Sequence, residues 1–231
     1  MKRFYAQVTI GADPTGSTVL LDGRPVRTPA RRLLALPSPA LAEAIGEEWR
    51  AQAAEIDAHS MRLTRLATTV VDLMPARRGE AIAEAAGYAG TELLCYRAER
   101  PTVLADRQEA AWQPWLDWAQ RQFDAPLLVA RGIMPVAQPE VALKALRAAV
   151  ERLDDWRLVG VHAATAVLGS LVLGLAVERG AVSAERALRA ALLDELFEIE
   201  QWGEDHEQTR RHERLRADLA AAELFLRLLP P

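Results

Sequence analysis

The residues best equipped for chemistry lie between Glu200 and Arg214, EQWGEDHEQTRRHER, where His206 and His212 sit among carboxylates and guanidinium groups. A zinc hydrolase helix sets two histidines at i and i+4, with a glutamate between them as the base. His206 and His212 are six residues apart, and on a helix of 3.6 residues per turn that spacing turns the rings about 120° away from each other. A carboxylate-bridged di-iron bundle needs Glu-x-x-His pairs, yet the residues three before each histidine are Gly203 and Thr209. The spacing therefore argues for a charged, solvated helix face, and neither a metal nor any other cofactor is expected.

Other reactive groups are scattered. Cys95, in ELLCYR, could act as a nucleophile with His162 or His59 as base, since thiolate chemistry needs a neighbouring base and an electropositive pocket; a lone cysteine in such a setting is also an ordinary small core residue. His162 shares a helical face with Thr165 and Gly169, which suits either a polar pocket in the core or a paired core histidine. Trp112, Trp115 and Trp118 recur every three residues and could build a core, an interdomain seam or a partner surface. The glycines form neither a P-loop nor a Gly-x-Gly-x-x-Gly run, so tight nucleotide binding is not expected.

The elements that must position these groups come from a chain of 231 residues, half of them hydrophobic, which is enough for a sizeable core. Its net charge of −4 argues against a nucleic-acid partner, because phosphate neutralisation needs a concentrated basic surface. One cysteine excludes an internal disulfide and fits a reducing compartment. The N-terminus lacks the apolar run of a signal peptide. Residues 159–177, VGVHAATAVLGSLVLGLAV, carry no formal charge and approach the length of a membrane span. Three glycines, His162, the absence of an aromatic anchor within the run and flanks that carry both signs of charge favour a buried central helix instead, so no membrane span is expected.

Phe4 to Leu36 reads as strands, with Asp22-Gly23 as a hairpin turn. Ser38-Pro39 then starts a helix running to about Ala53, whose stripe of Leu41, Ile45 and Trp49 faces a core. Helical periodicity follows at about 63–74, 77–89, 106–123, 139–152, 157–178, 184–202 and 205–228, with extended pieces near 91–97 and 126–136. The fold class is α+β: a small β-rich N-terminal domain, residues 1–75, followed by a larger mainly helical domain, residues 76–231.

Taken in order, FYAQVTI with LDGRPVRTPAR, EEWRAQ, YAGTELLCYRAERP with RQEAAW, GSLVLGLAV and DELFEIEQWG resemble the assembly chaperones for the α subunit of the F-type ATP synthase. The resemblance covers nearly the whole chain. It implies the same two-part fold, no enzymatic activity, and binding of the unassembled α subunit until it joins the β subunit. Family members in eukaryotes are mitochondrial, and this chain, which shows no transit peptide, resembles a bacterial cytoplasmic member. The family pattern also places an acidic residue seven positions before the Trp of Trp-Gly, here Glu195. If that helix buries Leu192, Leu196 and Ile199, then Glu195, Glu198 and Trp202 form a neighbouring stripe. With Glu204 and Asp205 they make up the expected partner-binding residues.

Overall fold

The computed structural model describes residues 1–12, 16–132, 134–203 and 205–230, and the backbone of Asp13. Strands β1 (Val8–Asp13), β2 (Gly16–Leu21) and β3 (Arg24–Pro25) form an antiparallel sheet in that order. The β2–β3 turn falls on Asp22-Gly23, and both residues have positive φ, 48° and 76°, as a tight hairpin turn requires. Helix α1 (Pro39–Arg50) covers the sheet. Ser38 caps it, accepting from the Leu41 amide at 3.0 Å while its own hydroxyl donates to the Leu228 carbonyl. Leu41 and Ile45 are fully buried, whereas Trp49 is half-buried and packs edge-on to Tyr5 with ring centroids 5.6 Å apart.

Helix α2 (Arg62–Gly87) is one continuous element through Pro75, where the sequence suggests two. Proline cannot donate to the carbonyl four residues back, and that carbonyl, on Val71, accepts instead from the Arg32 guanidinium at 2.9 Å. Next to it, Asp72 accepts from the Thr28 hydroxyl at 2.6 Å and the Ala30 amide at 3.0 Å. The loop after β3 thus clasps α2 at its proline. Residue 75, where the sequence reading divides the chain, lies inside this helix. The start of α2 has no capping side chain of its own. Glu48 of α1 supplies one, accepting from the amides of Leu63 at 2.7 Å and Thr64 at 2.8 Å.

After two short 3-10 turns, β4 (Tyr96–Arg97) pairs in parallel with β5 (Ala130–Arg131), and α3 (Thr102–Phe123) lies between them in sequence. The remaining helices are α4 (Glu140–Glu151), α5 (Asp155–Leu168), α6 (Leu171–Glu178), α7 (Ala184–Ala191), α8 (Leu193–Trp202) and α9 (His206–Arg227). The uncharged run at 159–177 is not one helix. Gly169, with φ of 63°, ends α5, and Ser170 caps α6, which folds back. No helix among the described residues is long and apolar enough to cross a membrane. Every residue of α6 up to Val177 is buried, and α9 returns along α5 so closely that a Cβ at Gly160 would meet Leu226. Buried apolar residues from Tyr5 to Leu229 make one contiguous core.

Replacing Asp72 with Ala removes two hydrogen bonds to a carboxylate and should lower stability by about 2 kcal/mol. Chemical denaturation would measure it, and an unchanged midpoint would mean that the clasp contributes nothing.

Candidate partner-binding site

Helix α8 carries most of the residues singled out above, and it buries none of its side chains. Its sequence, LDELFEIEQW, alternates apolar and acidic residues so tightly that no single face is wholly apolar. Leu193 and Leu196 pack partly onto the core, while Phe197 and Ile199 stay half-buried outside it. The expected buried face of Leu192, Leu196 and Ile199 is therefore complete only at Leu192.

Glu195 turns toward α9. Its Oε2 lies 2.5 Å from a guanidinium nitrogen of Arg211 and 2.9 Å from Nε2 of the buried His212. Burial raises the Glu195 carboxyl, but hydrogen bonds from His212 and Arg211 and their charges outweigh it, holding the group below the ordinary glutamate value. A depressed acid stabilises the fold above its unfolded value, and that contribution is lost as pH falls through the folded value. Glu198 and Trp202 point to solvent one helical turn apart, and Trp202 is 72% exposed. Asp205 caps α9, accepting from the Gln208 amide at 2.8 Å. Glu204 lies outside the described residues. The structure thus brings Glu198 and Trp202 together on one open surface, links Glu195 to α9, and uses Asp205 as a cap.

On the other side of α8 a groove of about 770 Å³ separates it from α3 and α7, with Trp115, Leu193, Leu196, Phe197 and Ile199 among its lining. Arg107 and Glu200 pair across it at 2.6 Å. Sequence reasoning missed this groove, apart from Trp115. Of the other two tryptophans, Trp112 is core, and Trp118 stacks edge-on with Trp115 and Phe123. The clue was the run of apolar residues on both sides of Glu195, which a single buried stripe does not explain.

The other chemical candidates lie apart. Cys95 is fully buried; burial, with the Glu92 charge adding to it, pushes its thiol up to about 12. His162 on α5 pairs with Glu84 of α2 at 3.0 Å. Among the described residues no cluster of His, Cys, Asp and Glu could hold a metal ion. Glu92, wholly buried, meets the start of α6 and accepts from the amides of Val172 and Leu94 at 3.2 and 3.4 Å. Burial pushes its carboxyl up to about 7, against the Ser170 hydroxyl and these amides, which favour the charged form. Beside it, the buried Arg97 guanidinium donates to the Leu94 carbonyl and lies over the Trp112 ring.

An open aromatic and acidic surface on a helix that its own core does not cover is the kind of feature by which one protein holds another, and the comparisons with known proteins place the chain among chaperones. The family profile described as ATP12 chaperone protein matches residues 2–120. The crystal structure of Atp12 from Paracoccus denitrificans is 40% identical, with 99% of this chain and 98% of that chain covered and a TM-score of 0.93. A mutant of the same Paracoccus protein matches with a TM-score of 0.92 at 40% identity, covering 98% and 97% of the two chains. A candidate chaperone from Agrobacterium tumefaciens is 35% identical, with 99% of this chain and 86% of that chain covered and a TM-score of 0.94. The chain belongs to the ATP12 chaperone protein family.

Two predictions concern the buried and paired carboxylates. Glu195→Lys sets a second cation against the Arg211 guanidinium and removes the acceptor that faces the His212 ring, and should cost about 2 kcal/mol while leaving the fold intact; circular dichroism melts would reveal a lowered midpoint with native helix content. For Glu92 the folded value is raised, so its stabilisation is complete below the unfolded value of 4.5 and is lost as pH climbs to about 7. Wild type should accordingly lose up to about 3 kcal/mol relative to Glu92→Gln across that window. Parallel urea titrations at pH 5 and pH 8 would test this, and a pH-independent difference would refute it.

Proposed function

We propose that the protein is a molecular chaperone that binds the unassembled α subunit of the F-type ATP synthase catalytic sector and promotes its joining to the β subunit, acting in the bacterial cytoplasm. Membership of the ATP12 chaperone family supports the general class. The observation that carries the finer reading is α8, a helix with no buried residue that offers Trp202, 72% exposed, beside Glu198. Large exposed aromatics are the anchors of protein contacts, and neighbouring charges orient the partner and speed its exchange. A subunit destined for an alternating ring exposes apolar interfaces before it meets its neighbour, and such patches aggregate. A protein that covers one of them must also let go, which suits a modest surface mixing apolar and acidic groups.

In this reading the N-terminal sheet with α1 acts as a buttress and the helices that follow α2 carry the client. Glu195 acts through its hold on α9, keeping α8 in place, and Glu198 and Trp202 touch the client. No turnover of ATP is part of the proposal. An enzyme built on Cys95 is disfavoured, because a buried thiol raised to about 12 remains protonated near neutral pH.

Coexpression with the cognate α subunit, followed by affinity purification of the chaperone, tests the proposal. Wild type should retain the α subunit, and Trp202→Ala should weaken retention about tenfold or more, the loss of one aromatic anchor, with no change in melting temperature. Glu198→Lys should act in the same direction. Retention unaffected by either substitution would remove α8 from the client surface.

A further inference from the structure

The groove between α3 and the α7–α8 pair presents apolar side chains outside the core, with the Arg107 guanidinium 5.3 Å over the Phe197 ring, and its walls are fixed. The Trp112 indole, 1% exposed, donates to the Ala190 carbonyl at 2.8 Å, tying α3 to the end of α7. Phe197 and Ile199, on the α8 wall, stand outside the contiguous core, and the same two residues border the hollow around Trp202. The groove and the open Glu198–Trp202 surface are therefore continuous.

Charge on its rim is one-sided. Arg107 is matched by Glu200 across the groove. Arg186 and Arg189, exposed on the α7 wall three residues apart, form no salt bridge among the described residues. At that spacing both guanidinium groups lie on one helix face. A partner carrying carboxylates would complement them, and a basic one would be repelled.

The walls also select the partner's backbone. They are helices, whose peptide groups away from the end turns are bonded internally; within α3 the Ala110 carbonyl loses its ladder partner because Pro114 has no N–H. An extended segment laid here would bring a row of unpaired N–H and C=O groups to walls that cannot bond them. A helix brings none. The ten residues of α8 span about 15 Å, the length of a helix of nearly three turns.

We infer that the groove holds a short amphipathic helix of the client, with its apolar face against Phe197, Leu196 and Trp115 and its carboxylates, three or four residues apart, paired with Arg186 and Arg189. This rests on the chaperone function proposed above and gives it a second contact beside Trp202. The double variant Arg186→Glu/Arg189→Glu, coexpressed with the cognate α subunit, should retain at least tenfold less of it, with a native melt. Arg152→Glu, on the exposed end of α4, should retain as much as wild type. Retention by wild type and double variant alike would overturn the groove and leave the chaperone function standing, whereas no retention by wild type would overturn the function itself. Equal losses with Arg152→Glu would indicate general charge attraction and also overturn the groove. Should the double variant not fold, the neutral pair Arg186→Gln/Arg189→Gln, confined to the α7 wall, decides: loss of retention upholds the groove, and full retention overturns it.

Discussion

The first turn of a helix has amide groups with no partner in the helix itself, and in this protein several of those debts are met by a carboxylate from another element. Glu48 of α1 caps α2, Glu92 reaches the start of α6, and Glu223 of α9 accepts from the Ala184 amide at 3.0 Å where α7 begins. Local capping by Ser or Asp would satisfy the same amides without fixing where a helix lies. Caps supplied from a distance do both, because they form only when two elements are already in place. The position of α8 follows from them: α9 caps α7, α7 leads directly into α8, and the pairing of Glu195 with α9 closes the circuit.

The elements legible in the sequence were those whose physics is local. The Asp-Gly hairpin, the Ser-Pro start of α1 and the helical stretches follow from turn chemistry and periodicity. Structure departs from local pattern where tertiary contacts prevail. Pro75 does not end α2 because Arg32, far away in sequence, takes the orphaned Val71 carbonyl. The run at 159–177 carries no formal charge and its apolar residues fall on every face, so nothing in its periodicity announces that Gly169 and Ser170 turn the chain. At the candidate site the exposure of Trp202 suited the sequence reading. The inward turn of Glu195 did not follow from it, since one carboxylate on a helix can face a client or a neighbouring helix with the same spacing.

Two helices of similar length show opposite uses of apolar sequence. In α6 Leu, Val, Gly and Ala are hidden almost completely, and small residues allow close approach: a Cβ at Gly174 would strike the Thr165 hydroxyl. In α8 Leu, Phe, Ile and Trp are interleaved with acids and none is hidden. The fold therefore derives stability from the α2, α5, α6 and α9 interior and leaves α8 as a lightly packed edge. A helix in that state gives up little of its own stability when a partner covers it or leaves, which is what reversible holding demands.

The exposure of Trp202 also has an optical consequence. The protein contains six tryptophans, and the other five are buried or half-buried, against ring and aliphatic neighbours. An indole in water emits to the red of one held in an apolar interior and is open to collisional quenchers. The intrinsic emission thus contains one water-facing component originating at the end of α8. Its colour and its quenching by iodide report whether that surface is bare, so occupancy can be followed in real time without a label.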